Sequence, residues 1–189
     1  MSFAPATIAA VRRETPGART ITLDVDGWPG HVAGQHIDVR LTAEDGYTAV
    51  RSYSIASSAS SGVLEITVDR LVDGEVSPYL VDVAEVGDRV EVRGPAGGWF
   101  VWRGNSDGPV QLLGGGSGVV PLMAMIRSHG DAGSTAPFRL LHSVRMPASA
   151  LFYEELKQRA VSDGHLTVDY AFSRETPPDW PGPPARLDR

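Results

Sequence analysis

The sequence predicts a β plus α/β protein, with an antiparallel barrel or sandwich in series with a parallel-sheet α/β unit. Three observations carry this. Up to about Arg103 apolar and polar residues alternate with a period of two, the signature of half-buried strands. Beyond it, compact apolar runs alternate with segments of helical period. Between the two lies Gly104-Asn105-Ser106-Asp107-Gly108, a stretch without an apolar side chain, so the domains are read as 1–104 and 105–189. A chain of 189 residues, 42% hydrophobic, is long enough to bury a core in such an arrangement.

In the first region Thr20-Ile21-Thr22-Leu23-Asp24-Val25, His36-Ile37-Asp38-Val39-Arg40-Leu41 and Leu64-Glu65-Ile66-Thr67-Val68-Asp69 read as strands. Turn formers punctuate them at Asp26-Gly27, Pro29-Gly30, Asp45-Gly46, Ser61-Gly62, Asp73-Gly74, Gly87-Asp88 and Gly94-Pro95. A short helix is expected over 77–83, with Ser77 as N-cap and Pro78 at its first position. In the second region a strand at 110–113 runs into Gly114-Gly115-Gly116-Ser117-Gly118. The helix that follows carries Leu122, Met125, Ile126 and His129 on one face and is read to stop at Gly130. A strand at 139–144, a helix at 148–160 with Leu151, Phe152 and Leu156 buried, and a strand at 166–172 complete a parallel, doubly wound pattern with right-handed crossovers. The remaining Thr176–Pro184 stretch is proline-dense coil, and so small a sheet leaves an edge or a face uncovered, so the second domain is read as incomplete.

Composition removes whole classes of function. With 17 Lys plus Arg against 23 Asp plus Glu, a net charge of −6 argues against a general nucleic-acid or anionic-membrane surface. With no cysteine, this polypeptide supplies no disulfide, thiolate zinc site, iron–sulfur ligand or Cys nucleophile. The first ten residues lack the pattern of a secretory signal and no apolar run approaches membrane-spanning length, which predicts a cytoplasmic protein. The five histidines show no metal-ligand spacing and read as structural, Glu154-Glu155 as a solvated helix face, and Trp99 and Trp102 as core or interface aromatics.

Three segments can carry chemistry. The glycine-rich turn lies between a parallel strand and a helix, where backbone can approach a ligand and helix-end N–H groups can meet a phosphate. It fits neither G-x-G-x-x-G nor the G-x-S-x-G elbow, each of which needs glycine at Val119, and it lacks the Lys-Ser/Thr pair of a phosphate-binding P-loop. Tight helix–strand packing is the alternative reading. Arg51-Ser52-Tyr53-Ser54 offers a guanidinium fork, an aromatic ring and hydroxyls, against the alternative of an ordinary strand. Gly74-Glu75-Val76-Ser77 is a second candidate phosphate-facing helix start, or simply a capped surface helix.

Taken together, these segments resemble the ferredoxin–NADP reductase superfamily with its bacterial oxygenase-reductase relatives. Arg51-Ser52-Tyr53-Ser54 matches its R-x-Y-S and Gly74–Ser77 its G-x-x-S. Gly94-Pro95-Ala96-Gly97-Gly98-Trp99-Phe100 matches its G-P-x-G-x-F-like turn, and Gly114–Pro121 its G-G-T/S-G-x-x-P loop. The resemblance implies a six-stranded antiparallel flavin-binding barrel followed by an α/β nicotinamide-binding domain, and an NAD(P)H-dependent flavin oxidoreductase. It implies that Arg51 binds a flavin phosphate, Tyr53 stacks on the isoalloxazine, Ser54 approaches N5 and Ser52 lies beside them. Val68, Asp69, Arg70 and Gly74, with the amides of Glu75, Val76 and Ser77, hold the rest of the ribityl–pyrophosphate. NAD(P)H lies on Gly116, Ser117 and Gly118, with Ser117 between the two cofactors and Ser143, Arg145 and Arg174 toward the adenosine ribose. Ser54, Tyr53 and Ser117 are thus the catalytic set. FAD is expected before FMN, because a helix start plus Arg51 suits a pyrophosphate. Electrons are expected to pass to a separate iron–sulfur or oxygenase partner. The family continues past Ala185-Arg186 with elements this sequence lacks, so a flavin-binding module without turnover is the alternative.

Overall fold

The computed structural model describes residues 2–104 and 108–186, so Asn105, Ser106 and Asp107 of the expected linker lie outside the described residues. Strands β1 (Ala4–Thr15), β2 (Ala18–Asp24), β3 (His36–Thr42), β4 (Thr48–Ser54), β5 (Leu64–Asp69) and β6 (Arg89–Ala96) form one antiparallel sheet in the order β4-β3-β6-β1-β2-β5. Its outer strands β4 and β5 are joined by an isolated bridge between Ile55 and Ile66. Inward-facing Ile8, Ile21, Ile37, Val39, Leu64, Ile66, Val90 and Val92 fill the interior, with Leu80 and Val81 closing one end.

Gly94-Pro95 is not a turn but part of β6, joined by a cis peptide bond. Opposite it the pairing jumps from Asp38–Arg93 to His36–Ala96, so the proline falls where no ladder bond is required of it. The helical turn at 77–83 is present, and over Tyr79–Val83 it is wound wide, with Ala84 N–H donating to the Tyr79 carbonyl at 2.8 Å. Ser77 does not cap it. The Ser77 hydroxyl instead accepts the Leu71 N–H at 3.0 Å, because the preceding loop folds back over it.

The second sheet is parallel, with β7 (Val110–Gly115), β8 (Phe138–Val144) and β9 (Leu166–Phe172) adjacent in chain order. Helices α1 (Val120–Asp131) and α2 (Tyr153–Ser162) connect them. Leu112, Phe138, Leu140, His142 and Val144 are buried on one face, while Gln111, Leu113 and Arg139 are exposed on the other. Among the described residues the sheet is therefore wound on one side, not doubly; strands that advance in one direction through right-handed crossovers put both helices on the same face.

Helix α1 runs through Gly130. Its stop is Gly133 at φ +58°, where Ser134 N–H donates to the His129 carbonyl (3.1 Å) and Gly133 N–H to that of Gly130 (3.0 Å). The helix expected over 148–160 is broken: Pro147–Ser149 forms one short turn, and Phe152 adopts φ +58° before α2 begins. Burial decides this, since the Phe152 ring is packed in the core with the Arg127 guanidinium 5.3 Å from its centre.

Nearly every α1 side chain is buried, not one stripe, because α1 lies between its own sheet and the barrel. Ala18, Ala33 and Ala56 of the barrel share its hydrophobic cluster, and Trp102 packs on His129 and Phe138. Trp99, by contrast, is fully exposed.

Candidate functional site

The site begins with an edge. β4 is an outer strand, and its alternation against β3 sets Arg51 opposite Val39 and Tyr53 opposite Ile37, both buried residues, so Arg51 and Tyr53 share the inward side. Tyr53 packs partly on the barrel core, and burial pushes its phenol up to about 12, so the ring stays neutral. Ser52 faces outward, where its hydroxyl donates to Asp38 Oδ1 at 2.6 Å beside Arg93. Ser54 pairs with His36 at the end of the strand.

Arg51 is half-exposed and donates to the Val50 carbonyl at 2.7 Å and to Glu75 Oε2. Tyr47 donates its phenol proton to Glu75 Oε1 at 2.5 Å. The Tyr47 hydrogen bond and the Arg51 charge hold the Glu75 carboxyl below its ordinary value, even against desolvation. Val68 and Val76 are fully buried and serve as packing. Arg70 pairs with Asp82 at 2.5 Å, and its N–H donates to the Gly17 carbonyl at 2.9 Å. Gly74 is a packing glycine: a Cβ there would stand 2.7 Å from Ser77 Oγ and 3.2 Å from Leu71 O.

Across from this edge, β7 extends through Gly114 and Gly115, leaving Gly116–Val119 as a tight helical turn ahead of α1. The glycines divide by role. A Cβ on Gly114 would meet Leu122 at 3.0 Å and the Val119 backbone at 3.2 Å, whereas Gly115, Gly116 and Gly118 face open space. Ser117 and Gly118 are exposed, and Gly116, at φ +51°, has its carbonyl hydrogen-bonded to Nε2 of buried His142 at 3.1 Å. Ser143 lies between Gly115 and Ala171 in register. The Arg145 carbonyl accepts the N–H groups of Arg174 (2.9 Å) and Glu175 (3.1 Å), tying together the strand ends where open α/β sheets bind ligands. Burial raises the Asp69 carboxyl, opposed by a hydrogen bond from the Arg70 N–H and, less, by the charge of Arg145.

The structure thus brings Arg51, Tyr53 and Glu75 together on the barrel edge, and Gly116, Ser117, Gly118, Ser143, Arg145 and Arg174 at the strand ends of the second sheet. It turns the Ser52 hydroxyl away and commits Ser77 to its own loop. A cavity of about 540 Å³ at the opposite ends of β8 and β9 contains none of these residues. The interdomain contact also contains residues that the pattern did not single out. Arg127 donates to the Ala56 carbonyl (2.9 Å), Glu65 (3.1 Å) and Glu155 (2.6 and 2.9 Å), so Glu155 is not merely a solvated residue. Ser128 Oγ accepts the Ala59 N–H at 3.0 Å. One signal was available: Arg127 is the lone charge in an otherwise apolar helical run.

A closed antiparallel barrel whose outer strand presents Arg51 and Tyr53, joined to a parallel sheet with an open glycine turn, defines the fold of two-domain flavin reductases. Residues 17–101 match the family model described as oxidoreductase FAD-binding domain. The chain is 36% identical over 161 residues to methane monooxygenase component C of Methylosinus trichosporium, covering 85% of this chain and 44% of that protein. Among solved structures, a cytochrome P450 reductase of Amycolatopsis matches with a TM-score of 0.83 and 27% identity over 95% of this chain and 54% of that one. The flavohem-like FAD/NAD binding domain of nitric oxide dioxygenase from Vibrio cholerae shares the fold, with a TM-score of 0.84 at 21% identity, covering 98% and 79% respectively. The chain is thus similar over most of its length to reductases of the ferredoxin–NADP reductase superfamily, and it spans about half the length of the curated relatives it matches.

Proposed function

We propose that this chain takes a hydride from NAD(P)H onto bound FAD and passes electrons onward to a redox partner, an iron–sulfur protein or oxygenase component. The observation that carries the reading is that one chain presents both the Arg51–Tyr53 edge of the barrel and the open turn Gly116-Ser117-Gly118 at the strand ends of the parallel sheet. In this reading Arg51 forks onto a flavin phosphate, Tyr53 supplies a neutral stacking face, and the Ser54 hydroxyl donates to the ring nitrogen that receives the hydride. Ser117 orients the nicotinamide at the boundary, while Ser143, Arg145 and Arg174 hold the ribose end. Bound flavin supplies the hydride-accepting ring and the exchange between paired and single electrons. The residues supply alignment.

The division into 1–104 and 105–189 belongs to this reading and is supported by the change from antiparallel to parallel sheet. The partner class follows from relatives named as components of methane and propane monooxygenases and a naphthalene dioxygenase system. No described helix is long and apolar enough to cross a membrane, and a cytoplasmic location completes the proposal.

A second reading, a flavin module without turnover, is favoured by the outer face of the parallel sheet, which among the described residues carries no helix. An anaerobic absorption spectrum separates the two. Oxidised-flavin bands that bleach with NADPH or NADH support the reductase; bands that never bleach support the module. A colourless chain that takes up neither FAD nor FMN overturns both.

A further inference from the structure

The flavin reading leaves the Glu75 side chain without a role, yet it occupies the anion seat of the barrel edge. Its two oxygens are held by the Arg51 guanidinium and the Tyr47 phenol. No other ion pair to Arg51 or Glu75 occurs among the described residues, so the seat holds one cation and one anion and has no net charge. Both partners are about half-exposed, and a cavity of about 580 Å³, bordered by Tyr47, Glu75 and Tyr79, opens beside them and leaves the carboxylate room to turn aside.

We propose that the Glu75 carboxylate is a specificity-determining group that makes the barrel prefer FAD over FMN. This inference rests on the flavin reading above. The two phosphates of FAD are diesters, each bearing one negative charge. The terminal phosphate of FMN is a monoester that carries about −1.5 to −2 near pH 7, as other phosphate monoesters do. Arg51 alone attracts a dianion more strongly than a monoanion. A carboxylate at the same place cancels that advantage, since its repulsion grows with the charge of the incoming phosphate as the attraction of Arg51 does. The preference is therefore electrostatic and local, and separate from any contact made by the adenosine half of FAD. Exposure keeps the effect moderate and sensitive to salt.

Flavin-free chain is titrated with FAD and with FMN, following the quenching of flavin fluorescence, for wild type, Glu75→Gln and Tyr47→Phe. Glu75→Gln keeps an acceptor for Tyr47 but removes the charge. It is expected to tighten FMN by about tenfold and FAD by about threefold or less, narrowing the gap between them. Tyr47→Phe retains the carboxylate and so retains the preference for FAD. Raising salt widens the gap in Glu75→Gln, where Arg51 alone favours FMN, and changes it less in wild type, whose seat has no net charge. Equal shifts for both flavins in Glu75→Gln, or none, overturn the inference while leaving the flavin reading intact. Failure of wild type to bind either flavin removes the reading itself, and this inference with it. Because Glu75 is half-exposed and makes no core contact, the variant's unfolding temperature is expected to match wild type, so the affinities compare folded proteins.

Discussion

Arg51 is held at the barrel edge by one hydrogen bond to its neighbour's carbonyl and one to Glu75, an exposed pairing that a phosphate can replace. Arg51→Ala is expected to weaken flavin affinity by roughly 1.5–3 kcal/mol, the value of a charge-assisted hydrogen bond, measured by titrating the flavin-free variant. Unchanged affinity removes Arg51 from the site. This residue was legible from its spacing to Tyr53, because a period of two places both on one side of a strand. Its partner was not, because Glu75 lies 24 positions away and only the fold sets them together. Ser52 shows the opposite case. It is adjacent in sequence to the site, but strand alternation points its hydroxyl at Asp38 on the outer surface.

At the scale of the element, the glycine turn places one tightly packed glycine next to two that face open space. Gly114→Ala forces a Cβ against Leu122 and the Val119 backbone and is expected to cost about 1–3 kcal/mol of stability in denaturant unfolding. Gly115→Ala has open space before it and is expected to leave stability nearly unchanged, while lowering NAD(P)H affinity by crowding the approach to the backbone. If both variants unfold alike, this division of roles is wrong. The strands with clean alternation, β2, β3, β5 and β9, could be read to within two residues at each end. β1 could not, because alanine occupies four of its twelve positions and blurs the contrast between its faces. The broken start of α2 was hidden for a different reason, since the local pattern favours a continuous helix and the burial of Phe152 overrides it.

For the whole molecule, Arg127 joins the barrel to both α1 and α2 from a nearly buried position. Arg127→Met leaves Glu65 without its cation and Glu155 with Arg159 alone, and is expected to destabilise the chain by about 2–4 kcal/mol in urea unfolding. Desolvation raises the Glu155 carboxyl, but hydrogen bonds and charge from Arg127, with help from Arg159, outweigh it and leave the carboxyl below its ordinary value. Its contribution to stability is therefore complete above the unfolded value near 4.5 and is lost as pH falls through the lower folded value. Wild type is expected to lose stability more steeply than Arg127→Met below about pH 4.5 in acid titrations followed by circular dichroism. Identical acid profiles would remove this role. Arg127 in the apolar stretch of α1 was visible in the sequence, but its partners, Glu65 of β5 and Glu155 of α2, were not. Helix α1, buried on both sides, also orders events in time. The last barrel strand ends at Ala96, before any residue of α1 has been synthesised, so the nascent chain can complete one closed sheet while the second is still unmade. The barrel then serves as a template: its surface at Ala18, Ala33 and Ala56 awaits the helix, and the glycine turn ahead of that helix takes its place only when that docking surface already exists.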